Sequence, residues 1–499
     1  MERAQTGEQV QACLARLRNA EEMLCAHIRA GEYDLISRKI GRIQKIRYSA
    51  GWKAYLGMKA MLHAVLEKRA AKLLKSVMRR DTAQLRNSML AEDRLRPVKE
   101  DLRSRLCTLT RDSEACQNLI REQQDALLAL MDLYQSAGKK AFLFMAPYFT
   151  DDRLADGYFQ RVQAVDHMLS EDHLRIYASW LDADDVLGVP HVYIWDDTHI
   201  EIRYPHPDPA NDDRIVRIAR KAGTVYHHSI TFANELVTRD ESVRKIFDMH
   251  GAYPEELRMY GREEQAGIDE EQERLAMQYG QAVVCVTQSM AEHLTQKYGR
   301  IPGEVILLPI FDEKKLRQCR ALEKKESGKA TVVYAGGMQK WQNVEMMQEA
   351  ASRTCGAFRY CFFTPDPQAF WKKWTYGARS REIEVSSKTP DEVVSAYASC
   401  DYGFLLRDDI VVNRVACPTK LVEYLAAGIL PILNTPNIGD FVRDGMAYIS
   451  LEDFVSEKLP PREEKERLVE QNLKVVRTLE ERYHQGRQQL CAWMESEAG

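Results

Sequence analysis

The sequence predicts an α/β chain in which two open, doubly wound parallel-sheet domains follow an all-α arm. Three observations carry this. Residues 1–138 are rich in Leu, Ala, Arg and Glu, hold one proline, Pro97, and repeat apolar residues every three or four positions. From Lys139 onward, short apolar runs alternate with helical stretches, as expected of strands buried on both faces. After a Lys- and Glu-rich linker from Asp312 to Ala330, the alternation starts again at Thr331.

In the arm, Leu14, Leu17, Leu24 and Ile28 fall at helical spacing, as do Leu119, Leu127, Leu130 and Leu133. They predict long helices forming a bundle or coiled coil. Within it, residues 37–80 carry thirteen Lys or Arg against one acid, Glu67, a net +12 on a chain of net charge −4. Trp52, Tyr55, Leu56, Leu62, Leu66, Leu73 and Val77 recur near a helical period in the same stretch. A basic amphipathic helix can lie on an anionic membrane surface. The same pattern also suits an acidic protein partner, or a helix packed in its own bundle with its lysines snorkelling.

The first α/β domain is expected over 139–318. Its strands are read at Ala141–Met145, Leu174–Ala178, His191–Ile194, Thr224–His227, Ala282–Val286 and Val305–Leu308, with a helix at Tyr158–Leu169. Ligands of such sheets bind beyond the carboxyl ends of the strands. Two polar stretches stand there: TVYHHSIT, with His227 and His228, and FDMHGAYPEE, with His250, Gly251, Glu255 and Glu256. The acid pair also reads as a solvated turn.

The second domain is expected over 319–470, and the charged residues beyond it, 471–499, as a closing helix. Strand Thr331–Ala335 runs into Gly336-Gly337-Met338-Gln339-Lys340. The two glycines let backbone approach a ligand, and Lys340 can reach phosphate. Strands follow at Phe358–Phe363, Ile383–Val385 and Tyr402–Leu406, with a helix at Pro390–Ala398; Arg407 and Asn413 come after the last strand. Then comes CPTKLVEYLAAG, from Cys417 to Gly428. Pro418 starts a helix, Thr419 and Lys420 lie in its first turn, Glu423 sits one turn on, and Gly428 caps it. An open helix N-terminus suits a diphosphate, Lys420 adds a point charge, and Glu423 can accept from a ribose diol. A capped amphipathic helix with solvated charges has the same letters.

This stretch resembles the donor-site motif of family-4 glycosyltransferases, the retaining enzymes with the GT-B fold, and its P-T-K-x-x-E-Y-L-A-x-G form is similar to that of bacterial sugar transferases. The likeness covers about 139–470. It implies two Rossmann-like domains facing a cleft and the transfer of a sugar from a nucleotide-diphosphate sugar to an acceptor hydroxyl, as in the synthesis of surface glycans or polysaccharide. It assigns the donor to Gly336, Gly337, Lys340, Arg407, Asn413, Pro418, Thr419, Lys420 and Glu423. It makes His250, with Glu423, the catalytic pair, and sets Gly157, Arg161, His228 and Glu255 on the acceptor side. Two positions depart from the family: Val415 stands where many members have a first Glu, and Met338 where many have Arg. The departures keep a non-catalytic GT-B scaffold subunit open as an alternative, and the fold alone keeps a GT-B epimerase open.

Other chemistries are disfavoured. Asp182-Ala183-Asp184 has the letters of a metal-binding DxD but falls in a polar helix or loop, and His and Cys show no zinc spacing. No essential metal or other cofactor is expected, only the substrate nucleotide sugar. The resemblance implies a glycan, glycolipid or protein as acceptor. No nucleic-acid module is present. Eleven cysteines without CxxC spacing fit reduced thiols. No apolar run spans a bilayer, and the polar MERAQTGEQV predicts no secretory leader, so a cytoplasmic protein is expected, peripheral at the inner membrane face if 37–80 meets lipid.

Overall fold

The computed structural model describes residues 7–28, 113–154, 156–181, 189–206, 209–301, 303–324, 328–376 and 380–496. The basic segment 37–80 and the Asp182–Asp184 triplet lie outside them. The described chain forms two compact units, one from 1–143 with 172–222, the other from 144–171 with 223–499.

The first unit holds helices α1 (7–28) and α2 (Glu114–Ser136). Leu14, Leu17, Leu24 and Ile28 of α1 are buried, as are Leu127 and Leu130 of α2, while Leu119 and Leu133 are half-buried and Ile120 takes a place in the core. Strand β1 (Ala141–Met145) carries the boundary between the units. Helix α3 (Gly157–Asp166) belongs to the second unit. Strands β2 (Leu174–Trp180), β3 (His191–Ile194) and β4 (His199–Tyr204), with helix α4 (Pro209–Ala222), return to the first. There β2 pairs β4 in parallel and β3 pairs β4 antiparallel, so this edge is not purely parallel as expected. The turn at Asp196–Thr198 is too short for a crossover, which forces the reversal. Glu21 of α1 stitches the unit: its carboxylate accepts from the Val192 N–H and Gln123 Nε2 and bonds His191 Nδ1 at 2.9 Å.

The second unit holds two parallel sheets. One runs β5 (Thr224–His227), β6 (Arg244–Met249), β7 (Ala282–Cys285), β8 (Glu304–Leu307), each beside the next. Helix α5 (Tyr253–Met259) follows β6, then α6 (Glu263–Tyr279) and, after β7, α7 (Gln288–Tyr298). Beyond β8 the expected linker contains a helix, α8 (Glu313–Arg320). Asp312 caps it by accepting from Lys315 N–H, and Leu316 and Cys319 give it a buried edge, which outweighs its charge.

The other sheet is β9 (Thr331–Ala335), β10 (Arg359–Phe363), β11 (Ile383–Ser386), β12 (Tyr402–Phe404), β13 (Leu430–Leu433) and β14 (Ile449–Ser450), in spatial order β11-β10-β9-β12-β13-β14. All its pairings are parallel, and the order reverses beside β9. That is where ligands collect in open α/β sheets. Helix α9 (Thr419–Ala426) joins β12's loop to β13, and α10 (Arg462–Glu495) closes the unit. Gly486 lets α10 lie on β8, since a Cβ there would strike the Leu307 carbonyl.

Candidate active site

The site is built at the carboxyl end of β9 and β12. After β9 the chain turns through Gly336, at φ +156°, and its N–H bonds the Phe363 carbonyl at 2.9 Å. The positive φ disfavours any side chain at Gly336, and a Cβ there would displace Lys420 Nζ, so glycine lets the loop lie against that lysine. Gly337 lies equally close to the Gln339 side chain.

Three cationic features converge on this loop. Lys420 is half-buried; its Nζ donates to Gln342 Oε1 at 2.9 Å and sits 4.3 Å from the Tyr334 ring centre. Burial, then the neighbouring Arg407, hold its pKa well below that of an ordinary lysine. Arg407 is 6 % exposed, and burial brings its pKa down to about 10. Its side chain has a 3.4 Å contact with Asn413 Oδ1, while its Nε has no hydrogen-bond partner. The Arg407 backbone is fixed by Asn434, and Asn413 by the Asp408 carbonyl, so the guanidinium is presented on a rigid turn. The third feature is the α9 N-terminus. Its cap residue is Pro418, which has no side-chain oxygen, and no acid stands in its first turn, so its leading N–H groups are open.

Glu423, one turn into α9, is buried with both oxygens occupied: Lys315 Nζ donates at 2.9 Å and Tyr397 Oη at 3.0 Å. A carboxylate has about four acceptor sites, so it keeps capacity for a further donor. Glu423 and the exposed Thr419 line a cavity of about 460 Å³ with Lys315, Arg161 and Tyr483. Lys340 is exposed and donates to the Met259 carbonyl at 3.0 Å. Beside it Trp341 meets Tyr260, ring centres 6.1 Å apart.

The His and Arg residues of the first-sheet side form a second cluster. Arg161 Nε and Nη2 clamp Asp248 at 2.8 and 3.1 Å, both residues buried, and Tyr226 Oη donates to the same carboxylate at 2.8 Å. His228 is fully buried, and burial holds its imidazole neutral, with a pKa near about 3. His250 bonds the His228 carbonyl through Nε2 at 2.6 Å and stands beside the rings of Tyr158 and Tyr253. Gly157 begins α3 with open space around it, so close backbone approach is not its reason. Glu255 is drawn away to Lys297 at 2.9 Å and His293 at 3.6 Å; burial alone would raise its pKa, but these partners hold it at about 2.

The structure thus gathers Gly336, Gly337, Arg407, Asn413, Pro418 and Lys420 at one loop. It sets Glu423, Thr419 and Arg161 on the adjoining cavity, ties Arg161 to Asp248, and bonds His250 to the His228 carbonyl. Lys340 and Glu255 are bonded elsewhere. Sequence reading missed Lys315, Tyr397, Gln342 and Asp248. Asp248 left a signal, a lone acid inside an apolar strand, and Lys315 followed an N-cap in a stretch read as linker.

No family model matches the sequence, and no curated protein matches it. Solved structures do resemble the fold. One is Anabaena Alr3699/HepE in complex with UDP, at 11 % identity and TM-score 0.51, covering 72 % of this chain and 100 % of that one. Others are an E. coli trehalose-6-phosphate protein bound with UDP-2-fluoro glucose, at 10 % identity, TM-score 0.49 and the same coverage, and a glycosyltransferase from Rickettsia africae, at 14 % identity and 0.46, again 72 % and 100 %. At such identities the likeness establishes the fold, and the first of the three carries it: the chain has the two-sheet α/β architecture of GT-B proteins.

Proposed function

We propose that the protein is a glycosyltransferase that moves a sugar from a nucleotide-diphosphate sugar to an acceptor hydroxyl, with retention, in the making of a surface glycan or glycoconjugate. The observation that carries the reading is the meeting of Arg407, Lys420 and the open α9 N-terminus at the Gly336-Gly337 loop. Two buried or half-buried cations and free N–H groups, with no carboxylate bonded to Arg407 or Lys420 among the described residues, call for a polyanion. They would stabilise the diphosphate as it departs, which is electrostatic catalysis without a protein nucleophile. Glu423 would hold the ribose, and His250 would contact the transferring sugar or its acceptor. The solved neighbour in complex with UDP supports the choice of donor class.

The domain bounds proposed are 1–138, 139–318, 319–470 and 471–499. The arm, through 37–80, would bring the cleft to an anionic membrane or a protein partner. Co-sedimentation with anionic and neutral vesicles checks this, because polybasic attraction is about 1 kcal/mol per nearby Lys or Arg and fades with salt.

One observation favours a second reading, a non-catalytic scaffold. Val415 and Met338, the two departures from the family pattern, both pack into apolar clusters. A donor panel decides. A transferase releases nucleoside diphosphate from its sugar conjugate slowly in water, and a scaffold releases none.

A further inference from the structure

Glu423 is held by two residues that its own sequence motif does not contain. Lys315 Nζ donates to Oε1 at 2.9 Å and Tyr397 Oη to Oε2 at 3.0 Å. The two come from different elements. Lys315 lies in the first turn of α8, where its own N–H is pinned to the Asp312 carboxylate at 2.9 Å. Tyr397 opens the turn Tyr397–Ser399 ahead of β12 and is fully buried. Its ring meets that of Tyr424, the residue after Glu423, edge to face with centres 5.6 Å apart. Each oxygen of Glu423 therefore has its own donor, and each donor is itself fixed.

A carboxylate has about four acceptor sites, two on each oxygen. Lys315 and Tyr397 take one apiece and leave about one on each oxygen, as many as the two hydroxyls of a ribose diol require. A lysine suits this better than an arginine, whose planar fork would occupy both oxygens at once. Lys315 lines the cavity of about 460 Å³ together with Glu423 and Thr419, so the carboxylate and its lysine border the space open to a ligand. A tie between α8 and α9 would need only the lysine. The tyrosine bond adds a second fixed point, and two donors on two oxygens set how the carboxylate plane is turned.

Building on the transferase reading, we propose that Lys315 and Tyr397 are positioning residues, which turn the Glu423 carboxylate so that its remaining lone pairs receive the two ribose hydroxyls of the nucleotide. They act through Glu423. The property they govern is the preference for a ribose diol over a sugar that lacks it.

The test uses the full chain. UDP, CDP, GDP and ADP are titrated by calorimetry to find which binds, and the 2′,3′-dideoxy form of that nucleotide is titrated beside it. Both ligands carry the same diphosphate, so the ratio of their affinities reports the diol alone. Wild type should bind the ribonucleotide at least about tenfold more tightly, because the analogue leaves a buried carboxylate without its hydroxyls. Tyr397→Phe keeps the ring and every charge. It should leave dideoxynucleotide affinity within about twofold and narrow the ratio to about threefold or less. Lys315→Met keeps most of the stem and should narrow the ratio likewise. Thermal unfolding shows whether each variant is folded, and if Lys315→Met is not, Tyr397→Phe decides. An undiminished ratio in folded Tyr397→Phe overturns the proposal and leaves the two residues as structural ties. A wild type that binds the diphosphate but ignores the diol also overturns it, while the transferase reading stands. If wild type binds no nucleoside diphosphate, that reading itself fails and this one goes with it.

Discussion

Two buried arginines of this protein make a useful contrast. Arg161 is clamped by Asp248 through two nitrogens, with Tyr226 completing the carboxylate. Arg407 is as deeply placed but has only a 3.4 Å contact with an amide oxygen and an Nε without a partner. The effect on basicity runs in opposite directions. Burial lowers both, but Asp248 reverses this at Arg161, whose pKa is raised, whereas that of Arg407 falls to about 10. A paired buried charge is structure. An unpaired one costs folding free energy, and a chain that keeps it is expected to recover that cost when an anion binds.

Substitutions can break this contrast at either end. The largest effect is expected at Asp248→Ala, which leaves Arg161 buried without a counter-charge and should cost about 3–5 kcal/mol. Urea denaturation reads it, and a midpoint close to wild type would mean that the pair is not integral to the core. At the other arginine the signs differ. Arg407→Met should leave stability unchanged or higher while weakening nucleoside diphosphate binding by about 1.5–3 kcal/mol, the range for a hydrogen bond to a charged group. Lys420→Ala should follow the same pattern, weakening diphosphate much more than bare nucleoside.

Glu423 stands between these cases. Glu423→Ala removes a ribose acceptor and leaves Lys315 without its carboxylate. Donor affinity should fall at least about tenfold, with some loss of stability. Unchanged donor binding would reduce Glu423 to a tie between α8 and α9. Lys340→Ala should matter least, under about 1 kcal/mol, because its ammonium is exposed and bonded to a carbonyl. A loss as large as that at Lys420 would show that Lys340 swings onto the phosphate.

The repeating framework was legible where one residue class dominates. Thr331–Ala335, His191–Ile194 and Thr224–His227 are runs of Val, Ile, Tyr and Thr with one other residue at an end, and their strand bounds follow directly. Strand β4, HIEIRY, was not read, because Glu201 and Arg203 interrupt it. The two pair with each other, Glu201 fully buried, so the charge that hid the strand is neutralised within it. The α8 helix was hidden by its lysines in the same way. In the site, CPTKLVEYLAAG and the Gly-Gly loop were visible because backbone geometry demands particular residues there. The partners Lys315 and Tyr397 of Glu423 were not, since they stand 108 and 26 residues away and nothing local ties either to that carboxylate. Asp248's commitment to Arg161, 87 residues apart, was beyond reach for the same reason.

The central claim is that Arg407 is kept unpaired for a diphosphate, and thermal unfolding with ligand tests it most directly. A ligand at one hundred times its Kd stabilises the folded state by about 2.7 kcal/mol. The wild-type midpoint should rise with one nucleoside diphosphate and hardly with the matching nucleoside, and Arg407→Met should lose that difference while unfolding at the wild-type temperature or above. Equal shifts by diphosphate and nucleoside in wild type, or an undiminished diphosphate shift in Arg407→Met, would contradict the account.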